Sequence, residues 1–276
     1  MQKEFQHITL SPLTPHIGAE ITRVNLAEPI SAEMLREINE ALLLHLVIFF
    51  RDQSLNPRQM YAAACQFGAP TPYPFVSGID DFPEIIEVLK LPDEKENFGG
   101  VWHSDTSYLP SPTMGALLYA KQIPASGGDT LFSNMYLAYE SLSPGLQKML
   151  SSLRAISNAD KSAISQSRIN RKSHTPKDLR AIHPVIRTHP ETKRKLLYIN
   201  RAHTTHFEGM SIAESKDLLE HLYQVQASAE FSCRFRWSQG SVAFWDNRAC
   251  QHYPLNDYAG HRRLMHRISL AGDVPY

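Results

Sequence analysis

The chain has 276 residues, with 28 Lys plus Arg balanced by 28 Asp plus Glu, 42% hydrophobic and 20% charged residues. Zero net charge supplies no global field for nucleic acid or an anionic membrane, so any preference for anions must be local. The apolar share is enough for a sizeable core and excludes disordered, fibrous and membrane classes. In chain order, residues 8 to 24 alternate apolar and polar positions around Pro12, Pro15 and Gly18, which predicts short strands at a sheet edge. Met34, Leu35, Ile38, Ala41, Leu42 and Leu46 recur at helical spacing, and Val47 to Phe50 follow as a buried strand. Asn56, Pro57 and Gln59 form a start signal for a helix to Phe67, where Gly68 ends it.

Ile85 to Leu89 and Leu117 to Lys121 read as strands, and Gly127-Gly128-Asp129 reads as a hairpin turn into Leu131. Ser143-Pro144 opens another helix. From Lys161 to Arg180 the chain is rich in Ser, Lys and Arg, which predicts a mobile lid over the site, with an inert solvated loop as the alternative. His183 to Arg187 and Lys195 to Asn200 form a predicted hairpin, and Ser211 with Glu214 a capping box. Phe231 to Trp237 is a predicted strand, and Ser241 to Asp246 is the strand expected to deliver His252. The expected architecture is one domain over residues 1–276, mainly β with flanking helices, arranged as a double-stranded β-helix or jelly roll.

Cys65, Cys233 and Cys250 are odd in number and lack Cys-x-x-Cys spacing, which argues against a disulfide framework and for a reducing compartment. No apolar run follows the first residues, and the stretch Ala41 to Phe50 is too short to span a bilayer. A cytoplasmic location, with no membrane or nucleic-acid partner, is the expectation.

The chemistry gathers around Trp102-His103-Ser104-Asp105. In an extended segment His103 and Asp105 project to the same side, a pair that can hold a metal. His252, beyond Trp245-Asp246-Asn247, completes a two-histidine, one-carboxylate triad that leaves open positions on Fe(II). Asp246 and Asn247 read as turn or supporting residues rather than ligands. Trp102 and Trp245, beside the ligands, are either core aromatics or a barrier to water. Downstream, Arg263 and Arg267 share one strand face, with His266 on the other; each arginine presents a planar fork for an anion. The same triad is also a zinc set, so a zinc hydrolase is an alternative, as is a non-catalytic jelly-roll binding protein.

The ordered set Trp102-His103-Ser104-Asp105, Gly127-Gly128-Asp129-Thr130, Trp245-Asp246-Asn247, His252 and Arg263-x3-Arg267 resembles the taurine dioxygenase and chlorophenoxyalkanoate dioxygenase (TauD/TfdA) family. The resemblance runs from Gly18 to Pro275. It implies an Fe(II)- and 2-oxoglutarate-dependent dioxygenase that consumes dioxygen, releases succinate and CO2, and hydroxylates a small organic substrate. It further implies that His103, Asp105 and His252 bind the metal, and that Arg263 with Thr130 holds the distal carboxylate of 2-oxoglutarate. Arg267 is implied to hold the anionic group of a sulfonate, sulfate ester or aryloxy-alkanoate, and the family implies a dimer or tetramer. Tyr73, Gly99 and His203 stand where taurine dioxygenase has a sulfonate-binding histidine, an asparagine and a pocket phenylalanine. These departures disfavour taurine itself and predict an opened pocket with an aromatic wall for a bulkier, less polar body.

Overall fold

The computed structural model describes residues 5–159 and 179–276. The expected lid therefore falls, up to residue 178, outside the described residues. Among the described residues an eight-stranded sheet forms the larger layer. Its order is β1 (Thr9–Pro12), β2 (Ala19–Thr22), β3 (Val47–Phe50), β14 (Val242–Asp246), β6 (Gly115–Gln122), β16 (Arg263–Leu270) and β4 (Pro70–Thr71), with β5 (Ile85–Lys90) also pairing to β16. A three-stranded sheet, β13 (Ser232–Phe235), β7 (Thr130–Asn134) and β15 (Cys250–Pro254), makes the facing layer. A second small sheet joins β12 (Thr204–Phe207), β8 (Arg154–Asn158) and β9 (Arg180–Pro184), and β10 (Ile186–Thr188) forms a hairpin with β11 (Lys195–Leu197).

The central strands read as unbroken apolar runs because both of their faces are covered, as in Val47–Phe50, where all four residues are buried. Side-chain alternation divides them between two cores. Val47, Phe49, Leu118, Trp245 and Met265 face the smaller sheets, where Phe49 stacks on Phe235 with ring centroids 3.8 Å apart. Ile48, Phe50, Leu117, Phe244 and Ile268 face the helices. Those helices are α1 (Ala32–His45) and α2 (Pro57–Phe67), and their buried sides carry Ile38, Ala41, Leu42, Met60, Ala63 and Ala64. The capping signals of α2 hold in three dimensions: Asn56 Oδ1 accepts from the Gln59 amide, and Gln59 Oε1 accepts from the Asn56 amide. Of the remaining helices, α3 (Met135–Glu140) and α4 (Pro144–Leu150) are short, and α5 (Ile212–Gln226) starts from the Ser211–Glu214 box. This is the expected jelly roll with flanking helices, but they lie on both sides: α1 and α2 pack on the larger sheet, while α3, α4 and α5 bury Met135, Leu150 and Leu222 in the core shared with the smaller sheets. Among the described residues no helix is long and apolar enough to cross a membrane.

Three local readings change. Gly127-Gly128-Asp129 is not a hairpin turn, because β6 and β7 belong to different sheets and the segment carries the chain from one layer to the other. Likewise β14 does not deliver His252; it lies in the larger sheet, and His252 sits on β15 in the facing one. Finally, His183 to Arg187 is two strands, with β9 pairing to β8 and β10 to β11. In each case local pattern identified the turn or the extended segment, while partner choice depended on layers assembled from distant chain.

Candidate active site

His103 and His252, far apart in sequence, are joined by an isolated antiparallel bridge. The His103 amide donates to the His252 carbonyl at 3.1 Å, and the His252 amide donates back at 2.9 Å. Directly opposed residues in such a bridge project to one side, which brings the imidazole centroids to 4.1 Å. Asp105, two residues on, points the same way: its Oδ1 lies 3.7 Å from His103 Nε2 and 4.0 Å from His252 Nε2. All three residues are buried, and their ligand atoms lie within 4.8 Å of one another.

The environment gives each group the protonation that a divalent cation requires. Burial pushes the His103 and His252 imidazoles below their ordinary pKa, in the case of His252 far below. Burial opposes ionisation of Asp105, but Arg267 and the neighbouring histidines outweigh it and hold the carboxyl below its usual value. His103 Nδ1 lies 2.7 Å from the Val101 carbonyl, so that nitrogen carries the proton and Nε2 keeps its lone pair for a metal. Asp105 Oδ2 is buried without a hydrogen-bond partner. Two neutral nitrogen donors and one carboxylate, with coordination capacity to spare, fit Fe(II).

A cavity adjoins this group, and Val88, Phe98, Leu118, Thr130, Phe132, Trp245, Pro254, Arg263 and Arg267 line it together with both histidines. Arg263 is 4% exposed, lies near the rings of Trp237 and Tyr258, and leaves Nε and Nη2 without partners. Burial lowers its pKa, but from a value so high that it stays a cation. Close by, Thr130 Oγ1 accepts from Trp237 Nε1 at 3.0 Å, so its own hydroxyl proton is available to an anion. Gly128 has φ +73°, and a Cβ there would stand 3.3 Å from Arg263 Cδ and Nε; the glycine thus serves both the crossing between sheets and the packing of Arg263.

Two repeats of the pleat further along β16, Arg267 Nη2 lies 3.0 Å from Asp105 Oδ1 and 3.2 Å from Ser269 Oγ. The Tyr73 ring covers its guanidinium at 5.3 Å. Tyr73 is therefore beside Arg267, whereas His203 meets the site through Tyr108, whose ring it contacts edge-on at 4.9 Å. His266 lies on the other face, 3.7 Å from Glu87, as its place in the strand predicts. Tyr108 and Phe98 were absent from the candidates read in the sequence. Tyr108 Oη stands 3.5 Å from Tyr73 Oη, and the Phe98 ring lies 5.9 Å from that of Tyr73. Their only sequence signal is proximity to the His103-x-Asp105 motif. Of the two tryptophans next to the motif residues, Trp245 packs on His252 at 4.8 Å and lines the cavity, while Trp102 contacts Tyr253.

The space expected beside Gly99 is not there. A Cβ at this glycine, which has φ +75°, would fall 2.8 Å from His103 Cε1, so its backbone already seals that side of the imidazole. Asp246 is not a ligand. It is fully buried and bound to Arg248 Nη2 at 2.7 Å and to His189 Nε2 at 3.0 Å, behind Trp245. Asn247, by contrast, hydrogen-bonds the backbone of Asp105 on both sides.

A jelly roll that holds two histidines and a carboxylate between its sheets, with buried arginines alongside, defines a non-haem metal oxygenase. The chain belongs to the taurine catabolism dioxygenase TauD, TfdA family, whose model matches residues 9–269. It is 31% identical over 277 residues to an alpha-ketoglutarate-dependent sulfate ester dioxygenase of Pseudomonas putida, covering 97% of this chain and 91% of that one. It is 30% identical over 290 residues to an alpha-ketoglutarate-dependent 2,4-dichlorophenoxyacetate dioxygenase of Cupriavidus pinatubonensis, covering 97% and 99%. The crystal structure of a taurine dioxygenase from Burkholderia xenovorans superposes with a TM-score of 0.84 at 35% identity, covering 98% of this chain and 91% of that one. The protein is thus a 2-oxoglutarate-dependent dioxygenase, a class that works with Fe(II) and dioxygen. Neither the zinc-hydrolase nor the non-catalytic reading finds support among these relatives.

Proposed function

We propose that His103, Asp105 and His252 bind Fe(II), that Arg263 and Thr130 hold the distal carboxylate of 2-oxoglutarate, and that Arg267 takes the anionic group of a small organic substrate. Tyr73 and His203, with Tyr108 and Phe98, form the wall around that substrate. The observation that carries this reading is the pair of buried arginines on one face of β16, one beside Thr130 and the other beside Asp105. Bound Fe(II), with 2-oxoglutarate and dioxygen, supplies the oxidising chemistry that yields succinate, CO2 and a hydroxylated substrate.

The chain's residues orient and protect. Arg263 and Thr130 offer a cation and a hydroxyl donor in a dry site, which selects a dicarboxylic co-substrate over a monocarboxylic acid. Phe132, Leu118 and Trp245 keep water from the reacting centre. Arg267 sets the distance between the substrate's anionic head and the metal, so the carbon attacked is the one a few bonds from that head. A sulfonate, a sulfate ester or an aryloxy-alkanoate meets this requirement with an apolar body for the aromatic wall. Hydroxylation of a carbon attached to an ester or ether oxygen gives a hemiacetal-like product. That product collapses to an aldehyde or ketone and releases the sulfate or phenol. The test is succinate formation by the Fe(II)-loaded protein with 2-oxoglutarate and a panel of alkyl sulfates, sulfonates and aryloxy acids. Stimulation by anionic compounds that Arg267→Ala abolishes is expected. Activity confined to uncharged or cationic compounds, or undiminished in that variant, would overturn the substrate assignment.

A further inference from the structure

The residue after Asp105 sits in a conformation its chemistry opposes. Thr106 has φ +53°, and among the described residues it is the one β-branched side chain at positive φ. Branching at Cβ makes the left-handed region costly, so surrounding contacts must hold the residue there. Thr106 Oγ1 accepts from the Thr113 amide at 2.9 Å, which ties the two ends of a tight loop. Asn247 binds the same loop from the end of β14. Its Oδ1 accepts from the Asp105 amide at 2.7 Å, and its Nδ2 donates to the Asp105 carbonyl at 3.0 Å and to the Thr113 carbonyl at 2.9 Å. Asn247 is 1% exposed, Thr106 2% and Thr113 5%, so no water competes for these bonds.

We propose that Asn247 and Thr106 form a strained clamp that presets the Asp105 carboxylate for the metal, which makes Asn247 a positioning residue for ligation. With its own N–H and C=O both engaged by one side chain, Asp105 has fixed backbone on either side, and little but side-chain rotation remains. The carboxylate is then held facing both imidazoles. The strain at Thr106 is what the clamp works against: without Asn247, the loop relaxes out of the left-handed region and carries Asp105 with it. This inference rests on the reading of Asp105 as a metal ligand.

The experiment is anaerobic titration with Mn(II), followed by electron paramagnetic resonance, alongside thermal unfolding of each variant. Asn247→Ala is expected to weaken Mn(II) binding about 10- to 100-fold, the range for removing a group that orients a ligand. Thr106→Gly alone should cost less affinity than Asn247→Ala, since glycine removes the strain together with the Oγ1 anchor. Combined with Asn247→Ala, it should recover part of the lost affinity, because nothing then drives the loop away. Should Asn247→Ala not fold, Thr106→Val, which keeps the strain and removes the anchoring hydroxyl, is expected to lose affinity several-fold. A purely structural role would lower the melting temperature while leaving Mn(II) affinity intact, and that result overturns the clamp. So does a double variant no better than Asn247→Ala. Asp105→Ala separates the premises: if it binds Mn(II) normally, the ligand reading fails and the clamp with it. If only Asp105→Ala loses metal, the clamp alone is wrong.

Discussion

Arg263 and Arg267 show how much a single residue's surroundings decide. Both are 4% exposed cations on the same strand face, yet Arg267 has Asp105 Oδ1 at 3.0 Å, while Arg263 Nε and Nη2 have no hydrogen-bond partner. An unpaired buried guanidinium is costly unless an anion joins it. Arg263→Ala is therefore expected to weaken 2-oxoglutarate binding by about 2 to 5 kcal/mol, the range for breaking a buried charged contact. Mn(II) affinity should hardly change, since Arg263 does not touch the triad. Isothermal titration with each ligand separates the two, and unaltered 2-oxoglutarate affinity would remove Arg263 from its assigned role.

Among the elements, β9 has an unexpected part in shaping the site. It carries His183, 3% exposed, whose Nε2–H donates to the carbonyls of Ser107 at 2.8 Å and Leu109 at 3.1 Å. These bonds hold the turn that presents Tyr108. Burial pushes the His183 pKa from 6.5 down to about 4, with Arg187 and Arg154 acting in the same direction. Between those values the unfolded chain binds a proton that the native imidazole refuses. The contribution is thus fully present above pH 6.5 and is lost as the pH falls toward 4, by about 3 kcal/mol at most. Urea unfolding from pH 7 to pH 4 should show this slope, and His183→Gln, which keeps a donor but does not titrate, should flatten it. An identical slope in the variant would assign the acid sensitivity elsewhere.

At the scale of the whole molecule, the site joins two layers. His252 stands on the small sheet, Arg263 and Arg267 on the large one, and His103 on the segment bridged to β15. A metal bound at 100 times its dissociation constant stabilises the native state by about 2.7 kcal/mol, which in a chain of this size raises the melting temperature by roughly 5 to 10 °C. Mn(II) should produce that shift in the parent and none in Asp105→Ala. A shift of equal size in both would place the ion elsewhere.

The elements and the residues of the His103–Asp105 pair were legible in the sequence because they are local. Helical spacing marked α1, the Asn56–Gln59 pair marked the start of α2, and the two-residue step from His103 to Asp105 set both on one side of the chain. The same step placed Arg263 and Arg267 on one face of β16 and His266 on the other. What the sequence could not show was who meets whom across the layers. The Asp105 backbone is held by an amide 142 residues away, and Gly127-Gly128 passes between sheets where a local reading finds only a turn. Gly99 read as added space, yet backbone conformation presses it against His103. Periodicity records which side of a segment is covered; it carries no information on the element that covers it, because apolar burial is non-directional and many partners satisfy it equally. That choice is made by the packing of the complete jelly roll, and with it the placement of Tyr108, Asn247 and His183 around the His103–Asp105–His252 group.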